Sequence, residues 1–293
     1  MCIVPTIAEK LIEIENRLSA KGIENARFEA RLLMTFVFDF DRMTLVAYPE
    51  RALPVDGCLK LEEMVRRREN REPMSHIIGN RDFWDFTFKV NAATLTPRSD
   101  SETLIEAVLE IFEDREQPLN ILDLGVGSGC LLLTLLSLYE KANGLGIDQS
   151  KDALCVAQEN ADALSLLNRT RFLCNDWANG LSETFDVIIS NPPYIPLKDK
   201  HTLEPEVADF EPHSALFAGD DGLDDYRKLA AQFPMILKND GFAFLELGIN
   251  QAQAVAEIMS CYDLEVYGVR KDIQNIERCM IIRKNFKKSL ENF

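Results

Sequence analysis

The chain has 293 residues, 46% of them hydrophobic and 27% charged, which is the composition of an ordinary folded protein with one large domain and a small one. Its formal net charge of −16 argues against nucleic acid as a partner, because proteins that bind phosphates usually present a basic face. No apolar run of about 18 residues and no signal peptide pattern occurs, so we expect a cytoplasmic protein without a membrane span. The seven cysteines are scattered and lack C-x-x-C spacing, so we expect neither disulfides nor a zinc site.

Three amphipathic helical patterns open the chain, over residues 3–20, 24–38 and 56–71. The apolar positions that we expect to face inward are Ile3, Ile7, Leu11, Ile14, Leu18, Phe28, Leu32, Leu33, Phe36, Leu59, Leu61, Met64 and Val65. The basic cluster Arg66, Arg67, Arg68 and Arg71 alternates with glutamates, which is typical of a solvated helix face. Residues 1–72 are therefore predicted to form a small helical bundle, whose task is either recognition or packing.

The β-prone, aromatic stretch at 73–96 predicts a β-hairpin linker with Gly79-Asn80 as its turn. Residues 97–293 then alternate strands and helices. The predicted strands are 120–124, 144–148, 171–174, 185–190, 242–247, 264–270 and 279–283, and the predicted helices are 130–139, 151–164, 223–237 and 251–261. This order predicts a doubly wound, seven-stranded, mostly parallel α/β domain of the Rossmann-like type, with its ligand at the carboxyl ends of the strands.

Candidate ligand-binding residues follow three of these strands. Gly125, Gly127 and Gly129 allow a tight turn and a close approach to a ligand, although G-x-G-x-G alone is a weak signal. Asp148 ends the next strand, where a carboxylate can accept hydrogen bonds from ribose hydroxyls. The alternative is that Asp148 only stabilises the dipole of the helix that follows. Asp176-Trp177, at the end of the third strand, supplies a polar group and a ring that can stack on a nucleobase; Trp177 can also fill a half-buried core position. Because G-x-G-x-x-G is absent, the set favours a single nucleoside over a dinucleotide.

The fourth strand end carries Asn191, Pro192, Pro193 and Tyr194. Two prolines take the chain out of the sheet and offer no N–H, which leaves a carboxamide, bare carbonyls and one aromatic ring. The Asn191 side-chain oxygen and the Pro192 carbonyl can accept both hydrogens of a planar NH₂ group, while Tyr194 stacks on its face. An ordinary polar turn is the alternative interpretation.

Taken together, these motifs resemble the class I methyltransferases that use S-adenosylmethionine. The resemblance rests on Asp-Leu-Gly-Val-Gly-Ser-Gly at 123–129, Asp148 and Asn-Pro-Pro-Tyr at 191–194. Within that class the chain resembles the release factor glutamine N(5)-methyltransferases of the HemK/PrmC type over nearly its whole length. Further support comes from Pro-Arg-Ser-Asp-Ser-Glu at 97–102, Phe-Glu-Pro at 210–212 and Asp-Gly-Leu at 221–223. The family usually has Pro-Arg-Pro-Asp-Thr-Glu in the first of these, and a threonine where Val126 stands.

By this resemblance, the substrate is the glutamine of the Gly-Gly-Gln motif in class I peptide-chain release factors, and the enzyme is a monomer that does not bind nucleic acid directly. The resemblance implies S-adenosyl-L-methionine as donor and S-adenosyl-L-homocysteine as product. The implied donor-binding residues are Gly125, Val126, Gly127, Ser128, Gly129, Asp148, Trp177 and Asn191. The implied substrate-binding residues are Asn191, Pro192, Pro193 and Tyr194, of which Asn191, Pro192 and Tyr194 are also catalytic.

The chemistry of these residues leaves other acceptors open. A glutamine of a ribosomal protein, or the exocyclic amine of adenine, would also suit the Asn-Pro-Pro-Tyr motif. A non-catalytic module that binds the nucleoside is the rival from a different class. For the enzyme we expect a direct in-line displacement at the sulfonium methyl group, with no covalent enzyme intermediate and no metal.

Overall fold

The computed structural model describes residues 5–285, which form two compact units. The first unit comprises the chain up to Gly79 together with Glu204–Phe210. The second comprises Asn80–Leu203 and the chain from Glu211 onward. No helix among the described residues is long and apolar enough to cross a membrane.

Helices and strands follow the predicted order, with several additions. The helices are α1 (Ile7–Ala20), α2 (Ala26–Phe38), α3 (Arg42–Ala47), α4 (Val55–Glu69), α5 (Met74–Ile78), α6 (Glu102–Ile111), α7 (Cys130–Leu138), α8 (Lys151–Ala163), α9 (Pro205–Phe210), α10 (Asp224–Ile236) and α11 (Ala252–Ser260). The strands are β1 (Asn80–Phe83), β2 (Phe86–Lys89), β3 (Asn120–Leu124), β4 (Asn143–Asp148), β5 (Thr170–Cys174), β6 (Phe185–Ser190), β7 (Leu237–Glu246), β8 (Leu264–Lys271) and β9 (Glu277–Lys284). The sequence patterns did not predict α3, α5, α6 or α9.

The helical unit has its own apolar core. Its fully buried members include Ile7, Ile14, Leu18, Leu33 and Leu61, all of which were predicted to face inward. Ile3 lies outside the described residues.

Three of the predicted inward residues are instead exposed. Phe28 is 56% exposed, Phe36 38% and Leu59 88%. The prediction was wrong for α2 because this helix packs through a neighbouring stripe that contains two small residues, Ala26 and Ala30. Apolar spacing alone identifies a helix but does not say which of two overlapping apolar stripes is buried.

The basic cluster at the end of α4 is a solvated face only in part, because Arg66 is exposed but Arg68 is buried. Arg68 is only 5% exposed, and it donates to Glu29 at 2.6 Å and to Glu206 at 2.8 Å. Arg71 donates to the second oxygen of Glu206 at 2.7 Å. Since Glu206 belongs to α9, these ion pairs explain why this short segment is part of the helical unit. A buried charge needs such partners, because an unpaired one is strongly destabilising.

The predicted hairpin is present, but its turn lies elsewhere. Strands β1 and β2 pair antiparallel from Asn80↔Lys89 to Phe83↔Phe86, so the turn is Trp84-Asp85. Gly79 instead ends α5 with a φ of 83°, in the left-handed region that glycine adopts without strain. The prediction of a Gly79-Asn80 turn was therefore wrong, because the glycine caps a helix.

The second unit contains a seven-stranded sheet in the order β5-β4-β3-β6-β7-β9-β8. Strands β3 to β7 pair in parallel, and β9 pairs antiparallel with both β7 and β8. Side chains alternate between two apolar cores, as in β6, where Val187 and Ile189 face one core and Ile188 the other. Helices therefore cover both faces, as predicted for a doubly wound fold. The strand order reverses between β3 and β6, which is where such sheets bind ligands.

Candidate functional site

A cavity of about 970 Å³, including its open mouth, lies at the carboxyl ends of β3, β4, β5 and β6. The predicted site residues that line it are Gly125, Val126, Gly127, Ser128, Asp148, Trp177, Asn191 and Pro193. Parallel strands end at the same edge of a sheet, and this brings four distant stretches of the chain together.

Three predicted residues do not line this cavity. Gly129 is the residue before α7, and Pro192 is buried next to the lining residues Asn191 and Pro193. Tyr194 is packed partly against the apolar core beside α10 and α11. Their predicted roles therefore concern the shape of the loop or an acceptor outside the cavity itself.

The loop after β3 requires glycine at its turning points. Gly125, Gly127 and Gly129 have φ values of 78°, 53° and 85°, all in the left-handed region. A Cβ atom at Gly129 would also lie 3.0 Å from Leu133 Cδ1. Side chains at these positions would strain the backbone, so the glycines allow the chain to turn tightly at the cavity wall.

Asp148 shapes the same loop. Its Oδ2 accepts a hydrogen bond from Gly127 N at 3.0 Å, and its Oδ1 accepts from Ser150 N at 2.9 Å. The N-cap of α8 is Ser150, whose Oγ accepts from Ala153 N at 3.1 Å, so capping does not depend on Asp148. Each carboxylate oxygen keeps a further lone pair. Asp148 can therefore accept hydrogen bonds from a ligand while it holds the loop.

Trp177 forms the wall that faces the glycine loop. It is half-buried, and a Cβ atom at Gly125 would lie 3.5 Å from its ring. Its φ of 51° is unusual for a bulky residue. Polar groups at Gln149, Asn175 and Asp176 complete this part of the lining; of these, only Asp176 stood out in the sequence. A flat ring with polar neighbours can bind a heteroaromatic base.

Asn191 reaches the cavity at the end of β6. Its Nδ2 donates a hydrogen bond to Ser101 Oγ at 3.2 Å, and this leaves Oδ1 as the atom of the carboxamide that can accept from a ligand. Tyr194 donates through its hydroxyl to Glu246 Oε1 at 3.2 Å. Burial raises the pKa of Tyr194, so the phenol stays neutral and can donate.

Ser101 and Glu246 were not singled out from the sequence. The Ser101 hydroxyl donates to Glu246 Oε2, and Glu246 is 1% exposed at the end of β7. Burial raises the pKa of Glu246 to about 6. The rule that selected Asp148, a polar residue ending an apolar strand, would also have found Glu246. Ser101 lies in the 97–102 segment that supports the family resemblance, but the strand-end rule could not select it because it lies outside the strands.

Arg98 is a further residue of the cavity wall. Its Nη2 donates to Glu211 Oε2 at 2.7 Å. Glu211 is 4% exposed, and burial raises its pKa, although the charge of Arg98 opposes that rise. This ion pair joins the segment before α6 to the segment after α9, within the second unit.

Comparisons with known proteins match both parts of the chain. Residues 9–79 match the PrmC N-terminal domain, and residues 100–208 match the methyltransferase small domain. A release factor glutamine methyltransferase from Rhodospirillum rubrum is 45% identical over 268 residues, covering 92% of this chain and 82% of that protein. One from Caulobacter vibrioides is 40% identical over 281 residues, covering 96% of this chain and 97% of that protein.

Among solved structures, the hMettl16 catalytic domain in complex with the MAT2A 3′UTR hairpin 6 is similar in fold. The TM-score is 0.54 at 13% identity, and the match covers 81% of this chain and 85% of that one. An identity this low supports a shared methyltransferase fold and carries nothing about the substrate.

Proposed function

This chain belongs to the release factor glutamine methyltransferase family, and we propose that it methylates the side-chain amide nitrogen of the Gly-Gly-Gln glutamine in class I peptide-chain release factors. The observation that carries the proposal is the placement of Asn191. Its carboxamide lies at the wall of the strand-end cavity. Nδ2 donates a hydrogen bond to Ser101, so Oδ1 is the atom that can accept a hydrogen bond from the substrate. The acceptor motif and the donor cavity thus meet at one place.

The polar and aromatic residues that line the cavity suit S-adenosylmethionine, which when bound supplies an electrophilic methyl group on a sulfonium. Asp148 can accept hydrogen bonds from the ribose hydroxyls through the lone pairs that Gly127 and Ser150 leave free. Trp177 can flank the adenine. Residues 125–129 can shape the methionine side, since glycines there bring the backbone to the cavity wall.

The acceptor residues act without a strong base. Asn191 Oδ1 and the Pro192 carbonyl accept the two amide hydrogens of the substrate glutamine, and Tyr194 packs against that amide. Holding both hydrogens orients the nitrogen lone pair and stabilises the positive charge that develops as the nitrogen attacks. The nitrogen then loses one of these hydrogens as a proton to water.

A direct test uses purified release factor, labelled donor and mass spectrometry of the Gly-Gly-Gln peptide. We expect one added methyl group on that glutamine, and none on a release factor whose glutamine is replaced by glutamate. Methylation that persists in the glutamate variant, or an unmodified release factor beside a methylated ribosomal protein or adenine, would overturn the proposed substrate.

We further propose that the helical unit recognises the release factor. A glutamine amide occurs on most protein surfaces, so selecting one requires contacts remote from the reacting atom. The helical unit exposes large apolar side chains, including Phe28 at 56%, Met43 at 70% and Leu59 at 88%. Aromatic residues that become buried in a complex often dominate its binding energy.

Phe28→Ala is therefore expected to lower kcat/KM for intact release factor about tenfold, the effect of one good interface contact. A short Gly-Gly-Gln peptide should be methylated at the wild-type rate, because it lacks the remote contacts. Tyr262→Ala is a matched control, since Tyr262 is an aromatic residue 40% exposed on the second unit. Steady-state kinetics with both acceptors provide the measurement. Equal losses on both acceptors would contradict a recognition role for Phe28.

A further inference from the structure

Ser101 connects Asn191 to a buried carboxylate. Its Oγ accepts a hydrogen bond from Asn191 Nδ2 at 3.2 Å and donates one to Glu246 Oε2. Ser101 is 3% exposed and Glu246 is 1% exposed, so the contact between these two side chains is shielded from bulk water. The three residues lie after β6, before α6 and at the end of β7, and they meet beside the cavity.

The direction of these hydrogen bonds follows from proton counting. A serine hydroxyl has one proton, and an ionised carboxylate can only accept. Ser101 therefore donates its single proton to Glu246 and can offer Asn191 only a lone pair. As a result, Asn191 must turn its NH₂ group toward Ser101, which leaves Oδ1 as its free acceptor.

We propose that Ser101 and Glu246 are positioning residues that hold the Asn191 carboxamide in the orientation that accepts a hydrogen from the substrate. This inference rests on the proposed function, because only an NH₂ substrate needs an acceptor at this point. In the flipped orientation Asn191 would present its own NH₂ group to the NH₂ group of glutamine. Two donors facing each other leave both without a partner, and a buried unpaired donor is costly.

The surroundings of Glu246 include charges of both signs. The titratable groups that face it are Tyr194, Tyr226, Asp100, Arg278, Cys130 and Cys279. Burial raises the pKa of Glu246 to about 6, with Asp100 acting in the same direction. The hydrogen bond from Ser101, the charge of Arg278 and the hydrogen bond from Tyr194 oppose that rise.

Protonation of Glu246 reverses the chain of hydrogen bonds. A neutral carboxyl group has a proton of its own to donate to Ser101. The Ser101 proton is then available to Asn191 Oδ1, which favours the flipped carboxamide. The active form is therefore the ionised one, and kcat/KM should fall as the pH drops through about 6, the pKa of Glu246.

The test compares kcat and KM of the wild type, Ser101→Ala and Glu246→Gln with release factor as acceptor, across this pH range. Ser101→Ala should lower kcat about tenfold with little change in KM for S-adenosylmethionine, because one hydrogen bond holds the orientation. Glu246→Gln should lose the acid limb of the profile, since glutamine does not ionise while its Oε1 still accepts from Ser101. A wild-type kcat in Ser101→Ala, or an acid limb that persists in Glu246→Gln, overturns the inference.

Ser190→Ala is the matched control. Ser190 precedes Asn191, is fully buried, and its Oγ donates to Leu124 O at 2.6 Å instead of contacting the Asn191 side chain. This variant also loses a buried serine hydroxyl, but it should keep the acid limb and more of its kcat than Ser101→Ala. Equal losses of kcat in Ser101→Ala and Ser190→Ala would mean that removing any buried hydroxyl near this loop has the same effect, and would overturn the inference.

A readout without catalysis separates the two proposals. The side-chain amide signals of Asn191 in NMR should shift with a midpoint near pH 6 in the wild type and stay constant in Ser101→Ala. If the wild type shows this titration but does not methylate release factor, the proposed function fails and the positioning network stands. If it methylates release factor but the Asn191 signals do not respond to pH, the network fails alone.

Discussion

Asn191→Ala is expected to lower kcat for release factor methylation about 10²–10³-fold, the usual effect of removing one preorganised polar contact from a reacting group. Asn191 supplies one of the two acceptors proposed for the amide hydrogens. Its loss leaves the nitrogen lone pair poorly oriented and the developing charge less stabilised. Binding of S-adenosylmethionine should remain close to that of the wild type, because Asp148 and Trp177 line a different part of the cavity.

Two measurements test this expectation. Single-turnover kinetics give the rate of the chemical step, and calorimetry gives the affinity for S-adenosylmethionine. Asn120→Ala is a suitable control, since Asn120 lies at the opposite end of the same sheet, where β3 begins. Turnover of Asn191→Ala near that of the wild type would contradict the proposed role of Asn191 as an acceptor for the substrate amide.

Asp148→Ala should weaken S-adenosylmethionine binding by up to about a hundredfold, because hydrogen bonds to a charged group are worth about 1.5–3 kcal/mol. The variant loses the acceptors proposed for the ribose. It also releases Gly127 N, which donates to Asp148 Oδ2 at 3.0 Å, so the glycine loop loses a support. Calorimetry with S-adenosylmethionine and with S-adenosylhomocysteine measures the effect.

The control for Asp148 is Asp152→Ala. Asp152 is an exposed carboxylate in the first turn of α8, where it interacts with the same helix dipole. If Asp148 only supports that dipole, the two variants should bind the donor equally well. A folded Asp148→Ala protein with unchanged affinity would exclude Asp148 from the ribose site.

The sequence alone determined the catalytic fold and the edge of the sheet at which the candidate site residues gather. Strands such as 120–124 and 185–190 are short, apolar runs between polar boundaries, and this local pattern needs no knowledge of distant residues. Because parallel strands end at one edge of a sheet, the strand pattern alone places the residues after each strand together. In the structure, one cavity is lined by Asp148, Trp177 and Asn191.

Tertiary structure decided what depends on partners far along the chain. Phe28 has the spacing of a core residue but is exposed, because the packing of α2 selects a neighbouring stripe. Arg68 has the neighbours of a surface residue but is buried, and its charge is compensated by Glu206, which is 138 positions away. Ser101 and Glu246 are 145 positions apart, and no local pattern relates them. Hydrophobic periodicity is a property of neighbouring residues, whereas hydrogen bonds and ion pairs between distant residues exist only once the chain has folded.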